Sequence, residues 1–274
     1  MTKKNDTLRW DQWFAGVIDG DGCFYINKKN EISFEVTTSN FDIDVLNSIK
    51  NKLKGGSIKP RSGSNSFRYR VKAILIIQTI VYKINGKLYN PVRLSQFKRV
   101  CEILNIKIKK SPFIIEITNT YLAGLIDSDG TISISVSKTN NITSQKYGKE
   151  GKIARLSQSR GFNQIYLKIT SIYKEPLLLI KNSYKFGTIY VEKKNFSNKK
   201  PKNQYHWTIK SYQDFCILYE MLKTYPLKSS KMHRIRLSLK YFYYKTLKYH
   251  LKNFDTVEYK SWLFFCKSWF KYNF

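Results

Sequence analysis

Two nine-residue stretches constrain this chain more than anything else in it. Phe14-Ala15-Gly16-Val17-Ile18-Asp19-Gly20-Asp21-Gly22 is restated 108 residues later as Leu122-Ala123-Gly124-Leu125-Ile126-Asp127-Ser128-Asp129-Gly130. Six of the nine positions are identical, and two more exchange one apolar residue for another. Each copy opens as an apolar helix, carried by Trp13, Phe14, Val17 and Ile18 in the first and by Tyr121, Leu122, Leu125 and Ile126 in the second. Apolar side chains nearly all round predict that both helices are buried. The Ala-Gly pair inside each works against the helix, since Gly costs roughly 1 kcal/mol relative to Ala there. Small residues are favoured where two backbones approach closely. The spacing therefore predicts two helices packed along Ala15-Gly16 and Ala123-Gly124. Each ends in an acidic pair followed by a Gly able to take positive φ. Packed side by side, the helices bring both acidic pairs to one end of their interface. Carboxylates gathered there repel unless a cation sits between them. Oxygen ligands suit Mg2+, whose sites combine one or two carboxylates with substrate phosphate oxygens. The bland alternative is two buried helices ending in ordinary Asp-Gly turns, which gives no reason for the acids to recur in both copies.

Charge points to the partner. The chain carries 49 Lys and Arg against 19 Asp and Glu, a net charge of +30 over 274 residues. A polyanion is implied, with nucleic acid first among the candidates. The basic residues are spread along the whole chain rather than gathered on one amphipathic helix, which argues against a membrane surface. The apolar run from Ala73 to Tyr82 is too short to span a bilayer, and Met1 to Trp10 lacks the apolar segment of a secretory signal. Cys23, Cys101, Cys216 and Cys266 are far apart and read as reduced core thiols, not zinc ligands. His206, His233 and His250 are scattered, so no His-Asn-His metal finger is present. Abundant Lys, Asn, Ile, Tyr and Phe suggest an AT-rich coding genome, as in organelles; a bacterial cytoplasm is the other setting.

In chain order, strands are expected at Cys23 to Lys29, Glu31 to Thr38, Ser57 to Arg61 and Phe67 to Lys72, from their alternation of apolar and polar residues. Helices are expected at Asp42 to Leu53, Ala73 to Lys83 and Pro91 to Ile106. After the second motif, strands are expected at Thr131 to Ser137, Gln164 to Thr170, Gly187 to Lys193 and Tyr205 to Lys210. Helices are expected from Pro176, Tyr212 and Lys228, and in the aromatic-rich tail from Phe254 to Phe274. The insertion at 140–163 reads as a long hairpin. The fold class is α+β: two pseudo-symmetric αββαββα repeats, residues 1–110 and 120–274, joined by a linker at 111–119. Each repeat holds a four-stranded antiparallel sheet.

The polar faces of those sheets are candidates for contact with double-stranded DNA, since a sheet can present side chains to base edges in the major groove. In the first repeat they carry Tyr25, Asn27, Lys29, Ser33, Glu35, Lys59, Arg61, Arg68 and Arg70. In the second they carry Ser133, Ser135, Ser137, Tyr166, Lys168, Tyr190, Glu192, His206 and Lys210.

The duplicated motif at this spacing resembles that of the LAGLIDADG homing endonucleases, in their single-chain, two-motif form. The resemblance covers most of the chain and implies metal-dependent hydrolysis of phosphodiester bonds by a monomer. By resemblance, Asp21 and Asp129 are metal ligands, with Gly20 and Ser128 offering backbone carbonyls. Asp19 and Asp127 match the family's first acid and are expected to hold the helix end and turn. A basic residue before the last helix of each repeat is implied; Arg93 and Lys228 fit by position. Thr38 and Ser171 fall where a water-positioning side chain is often found. The expected cofactor is Mg2+, with Mn2+ able to substitute and Ca2+ binding without supporting cleavage. The expected product is a double-strand break with short 3′ overhangs in a long asymmetric site. Relatives with this motif can instead be RNA-binding group I intron maturases acting on their own intron RNA. A plain repressor would need no paired acids, and an intein lacks its splicing residues here.

Overall fold

The computed structural model describes residues 3–137, 145–193 and 203–272. The first repeat runs α1 (Lys3–Asp21), β1 (Gly22–Ile26), β2 (Ile32–Ser39), α2 (Ile43–Leu53), β3 (Ser57–Pro60), β4 (Ser66–Val71), α3 (Ile74–Ile84) and α4 (Pro91–Ile103). The second runs α5 (Tyr121–Asp129), β5 (Thr131–Val136), α6 (Gly148–Gln158), β6 (Asn163–Ser171), α7 (Glu175–Tyr184), β7 (Thr188–Glu192), β8 (Gln204–Ile209), α8 (Tyr212–Thr224), α9 (Lys231–Thr246) and α10 (Val257–Trp269). The strands form two four-stranded sheets, ordered β1-β2-β4-β3 and β5-β6-β8-β7. The α+β class and the order of elements match the sequence expectation.

Local chemistry accounts for the boundaries. Asn30 takes φ 61° in the β1-β2 turn, while Asn27 Oδ1 accepts from the backbone N–H of Lys29 and of Glu31, both at 2.9 Å. An Asn side chain of this kind mimics a backbone turn. Helix α4 starts on an Asn90 cap, whose Oδ1 accepts from Val92 N at 3.0 Å, with Pro91 in its first turn. Two expectations change. The insertion contains a helix, α6, not a hairpin, within its described residues. Its apolar spacing is diluted by Gly148, Gly151 and Ser157, and Ala154 and Leu156 supply its buried face. Helix α1 begins ten residues before Trp13, because the polar N-terminal stretch extends the motif helix.

Two compact units are discontinuous in sequence. One takes Met1–Gly130, Ile169–Trp207 and Tyr225–Ser229; the other takes Thr131–Lys168, Thr208–Thr224 and Ser230–Phe274. The core of the first gathers Trp13, Phe14 and Ile18 of α1 with Phe34 of β2, Leu46 of α2 and Ile77 of α3, all fully buried. The second is built on Tyr241 of α9 and Trp262, Phe265 and Trp269 of α10. There Tyr241 donates to Asn163 O and Oδ1 at 2.9 Å. Arg160 donates to the carbonyls of His250 and Lys252 at 2.7 and 3.0 Å, and lies over the rings of Phe254 and Tyr259. Among the described residues no helix is long and apolar enough to cross a membrane, and all four cysteines are free thiols.

Candidate functional site

The glycines of the two motifs explain how α1 meets α5. A Cβ on Gly16 would stand 2.1 Å from Tyr121 O, and one on Gly124 would stand 1.8 Å from Trp13 O. Neither position can carry a side chain without driving the backbones apart. One turn further on, a Cβ on Gly20 would lie 2.1 Å from Ser128 Oγ and 3.2 Å from Asp129 Cγ. The helix ends therefore abut, as the Ala-Gly spacing predicts.

The first acid of each motif turns inward. Asp19 Oδ2 accepts from Tyr89 N at 2.6 Å and from Tyr121 OH at 2.7 Å, and Asp19 O accepts from Asn90 Nδ2 at 2.8 Å. Asp127 Oδ2 accepts from Trp13 Nε1 at 2.8 Å and Lys228 N at 3.0 Å. Its Oδ1 accepts from Ser229 N at 3.0 Å and Ser229 Oγ at 2.6 Å. Each buried carboxylate thus ties three things together: its own helix end, the loop before a later helix of its repeat, and an aromatic donor on the other motif helix. Burial pushes Asp19 up to about 7, against its bonds to Tyr89, Tyr121 and Asn90 and the charge of Arg93. Burial also raises Asp127, against its bonds to Ser229, Lys228 and Trp13.

The second acid of each motif stays closer to solvent: Asp21 is half-buried and Asp129 exposed. Arg93 Nη2 donates to Gly20 O at 3.1 Å. Arg93 and Asp129 line one cleft of about 200 Å3 together with Asp19, Tyr121, Thr170 and Ser171. Two buried polar atoms of its walls, Asp19 Oδ1 and Arg93 Nε, have no partner. Among the described residues no three His, Cys, Asp or Glu side chains gather as a metal cage. The carboxylates that line this cleft are Asp19 and Asp129, and Asp21 is not among its lining residues. A cation held by Asp21 and Asp129 would need helix-end carbonyls and oxygens from elsewhere as well, a donor set that suits a hard ion such as Mg2+.

Other expected residues fall differently. Lys228 Nζ sits 4.8 Å from the Trp13 ring centroid and 5.0 Å from that of Tyr225, and burial lowers its pKa. Matching the two loops through their bonds to Asp19 and Asp127 pairs Lys228 with Tyr89, so it is not the counterpart of Arg93. Position before a helix was too coarse a signal to separate them. Thr38 is buried with its hydroxyl toward Asp42 O. Ser171 Oγ accepts from Tyr173 N at 2.9 Å.

On the strands of the first sheet Tyr25, Lys59 and Arg70 are exposed and Glu35 and Arg68 half-buried, whereas half-buried Asn27 and exposed Lys29 fall in the turn after β1 and exposed Arg61 just past β3. Ser33 stands opposite Tyr25 and shares its face with Glu35, as the alternation expects, but on this central strand it is buried. A cationic cleft of about 470 Å3 is lined by Lys59, Arg61, Arg68 and Arg70. On the strands of the second sheet Ser135, Tyr190 and Glu192 are exposed and Ser133, Tyr166 and Lys168 half-buried, whereas exposed Ser137 and Lys210 fall just past β5 and β8. His206 is buried because it is covered by side chains of that face: Tyr190 stacks on it at 4.5 Å, its Nδ1 meets Thr170 Oγ1 at 2.8 Å and its Nε2 meets Glu192 at 3.3 Å.

Two glycine-packed helices, each ending in an acidic pair and each followed by a four-stranded antiparallel sheet, define a duplicated α+β protein organised around a central helix pair. The chain belongs to the LAGLIDADG endonuclease family, whose model matches residues 14–104 and 122–242. It is 31% identical over 263 residues to the "Probable intron-encoded endonuclease aI2" of Debaryomyces hansenii. It is 33% identical over 268 residues to the "Intron-encoded RNA maturase bI4" of Saccharomyces cerevisiae. These matches cover 96% and 97% of this chain but 38% and 37% of those proteins, so the chain spans less than two fifths of their length. The fold is that of the I-LtrWI LAGLIDADG homing endonuclease bound to target DNA, with a TM-score of 0.68 at 18% identity over 96% of this chain and 97% of that one.

Proposed function

We propose that this chain is a site-specific DNA endonuclease that makes a double-strand break in a long asymmetric target and leaves short 3′ overhangs. The observation that carries the reading is the abutting of the two motif ends, Gly20 against Ser128 and Asp129, with Arg93 reaching into the same place. The names of relatives support an endonuclease: the Debaryomyces protein is named a probable intron-encoded endonuclease, and a Dictyostelium discoideum protein, 29% identical over 86% of this chain and 80% of that one, is named "Intron-encoded DNA endonuclease ai2b". Asp21 and Asp129 would hold Mg2+, helped by the carbonyls of Gly20 and Ser128; Mn2+ would replace it, and Ca2+ would bind without cleavage. A neighbour of the same fold, I-SmaMI, is described as bound to an uncleaved DNA target in the presence of calcium ions. When bound, such an ion lowers the pKa of an attacking water and stabilises the leaving oxygen.

The chain's own residues do the rest. Arg93 lines the same cleft as Asp129, where its guanidinium would give a phosphate charge-assisted hydrogen bonds. Asp19 and Asp127, both buried, keep the helix ends in place. The basic sheet faces hold the duplex, so affinity should fall steeply with salt as counterions are released. Repeats 1–110 and 120–274 each serve one half of the site, and the chain acts as a monomer in an organelle, in keeping with its intron-encoded relatives. The second reading is an RNA maturase acting on the chain's own intron, favoured by the likeness to the Saccharomyces maturase.

One pair of substitutions separates the two. Asp21→Asn and Asp129→Asn remove metal-binding charge while keeping size. Each should lower cleavage of a target duplex by orders of magnitude in Mg2+, while gel-shift affinity and melting temperature hold. Full cleavage by the double variant would overturn the endonuclease site and put the maturase first.

A further inference from the structure

We propose that Glu35 is a positioning residue that locks Arg68 and Arg70 into a guanine-reading pair, so that the half-site under the first sheet carries two guanines about two base-pair steps apart. This rests on the DNA-endonuclease reading above. Arg68 and Arg70 alternate along β4 and share a face. Arg70 stands opposite Glu35 on β2 and Ser57 on β3; Arg68 stands opposite Thr37 and Lys59. Glu35 bridges both, its Oε1 at 2.9 Å from Arg70 Nε and its Oε2 at 3.2 Å from Arg68 Nη1.

An acid on a face meant for a polyanion opposes binding unless it does something else. Here it engages one donor of each guanidinium, Nε of Arg70 and Nη1 of Arg68, and so restrains both side chains. With Nε engaged, Arg70 presents its two terminal amino groups as a fork, and among the described residues these meet no protein acceptor. Guanine offers O6 and N7 side by side in the major groove, and a two-donor fork matches them. A phosphate would be served as well by an unrestrained Lys or Arg, and the same cleft supplies Lys59 and Arg61 for that purpose. Holding the two Arg side chains before DNA arrives removes rotamer entropy that binding would otherwise lose. Residues two apart on a strand are separated by about 6.8 Å, which equals two base-pair steps at about 3.4 Å each.

The test is selection of bound duplexes from a library randomised across the target, followed by titration of matched and mismatched sites. The wild-type chain should enrich guanine at two positions of one half-site. Arg70→Ala should lose the preference at one of them and Arg68→Ala at the other, each by about 5- to 150-fold. Glu35→Gln, of equal size, should weaken both preferences at least about tenfold while non-specific affinity holds or rises and the melt is unchanged. Uniform weakening of all sequences by Arg70→Ala, or guanine preferences that survive in Glu35→Gln, would overturn the proposal. A wild-type profile selective elsewhere but indifferent here overturns the Glu35 assignment alone. A wild-type chain without any sequence preference for duplex DNA overturns the endonuclease reading with it.

Discussion

Asp19 and Asp127 hold matching places in the two motifs, yet one is tied down far more completely. Both oxygens of Asp127 accept two hydrogen bonds each, from Trp13, Lys228 and both donors of Ser229. Asp19 takes two bonds on Oδ2 and leaves Oδ1 buried without a partner. A buried carboxylate with all its lone pairs served is a structural rivet; one with an orphaned oxygen carries part of its desolvation penalty uncompensated. Duplication copied the residue, but the loops that feed it diverged. The first loop delivers Tyr89 and Asn90, the second Lys228 and Ser229, whose hydroxyl adds the fourth donor.

The largest effect belongs to the helix contact on which both acids depend. Gly124→Val would put side-chain atoms where the Trp13 carbonyl lies, 1.8 Å from the ideal Cβ. Loss of about 4 kcal/mol or more is expected, and urea melts should find the variant largely unfolded. A stable Gly124→Val protein would mean the helices are not fixed where the glycines put them. Next, Asp127→Ala should destabilise by about 3–5 kcal/mol, because four donors lose their acceptor at once. Asp19→Ala should lose less, about 1–3 kcal/mol. Equal losses in thermal melts of the two variants would erase the difference drawn above. The smallest effect sits in the other unit. Burial, with the charges of Lys245 and Arg160, holds His250 down to about 4 from its ordinary 6.5. The unfolded chain binds that proton first, so this stability is present above pH 6.5 and is lost as pH falls toward 4. His250→Gln should flatten the slope of stability between those values. An unchanged slope would remove His250 as its source.

Much of this was legible in the amino-acid string. The duplicated Ala-Gly pairs announced the helix contact, and apolar alternation located all eight strands. What stayed hidden depended on contacts remote in sequence. Polar alternation puts Ser33 and His206 on the sheet face but cannot foretell that they are covered there, His206 by a Tyr190 ring laid over its imidazole. Periodicity also missed α6, since glycine and serine thin its apolar stripe. Position before a helix suggested Lys228 as a partner for Arg93, but only the bonds of Asp127 reveal that it stands where Tyr89 does. Nothing in the string foretold that Glu35 would bind two arginines across β2 and β4.

The two inward acids also decide how separable the repeats are. Each accepts from an aromatic donor on the opposite copy, Asp19 from Tyr121 and Asp127 from Trp13. Those donors sit at the same place in their motifs, one residue before the apolar stretch begins. A repeat transplanted alone would leave its carboxylate facing an absent hydroxyl or indole. A chimera joining this half to a foreign one therefore needs the newcomer to bring a Trp or Tyr to that place as well as glycine at the close helix contact. Modular exchange between such chains turns on this two-residue handshake laid over the glycine contact.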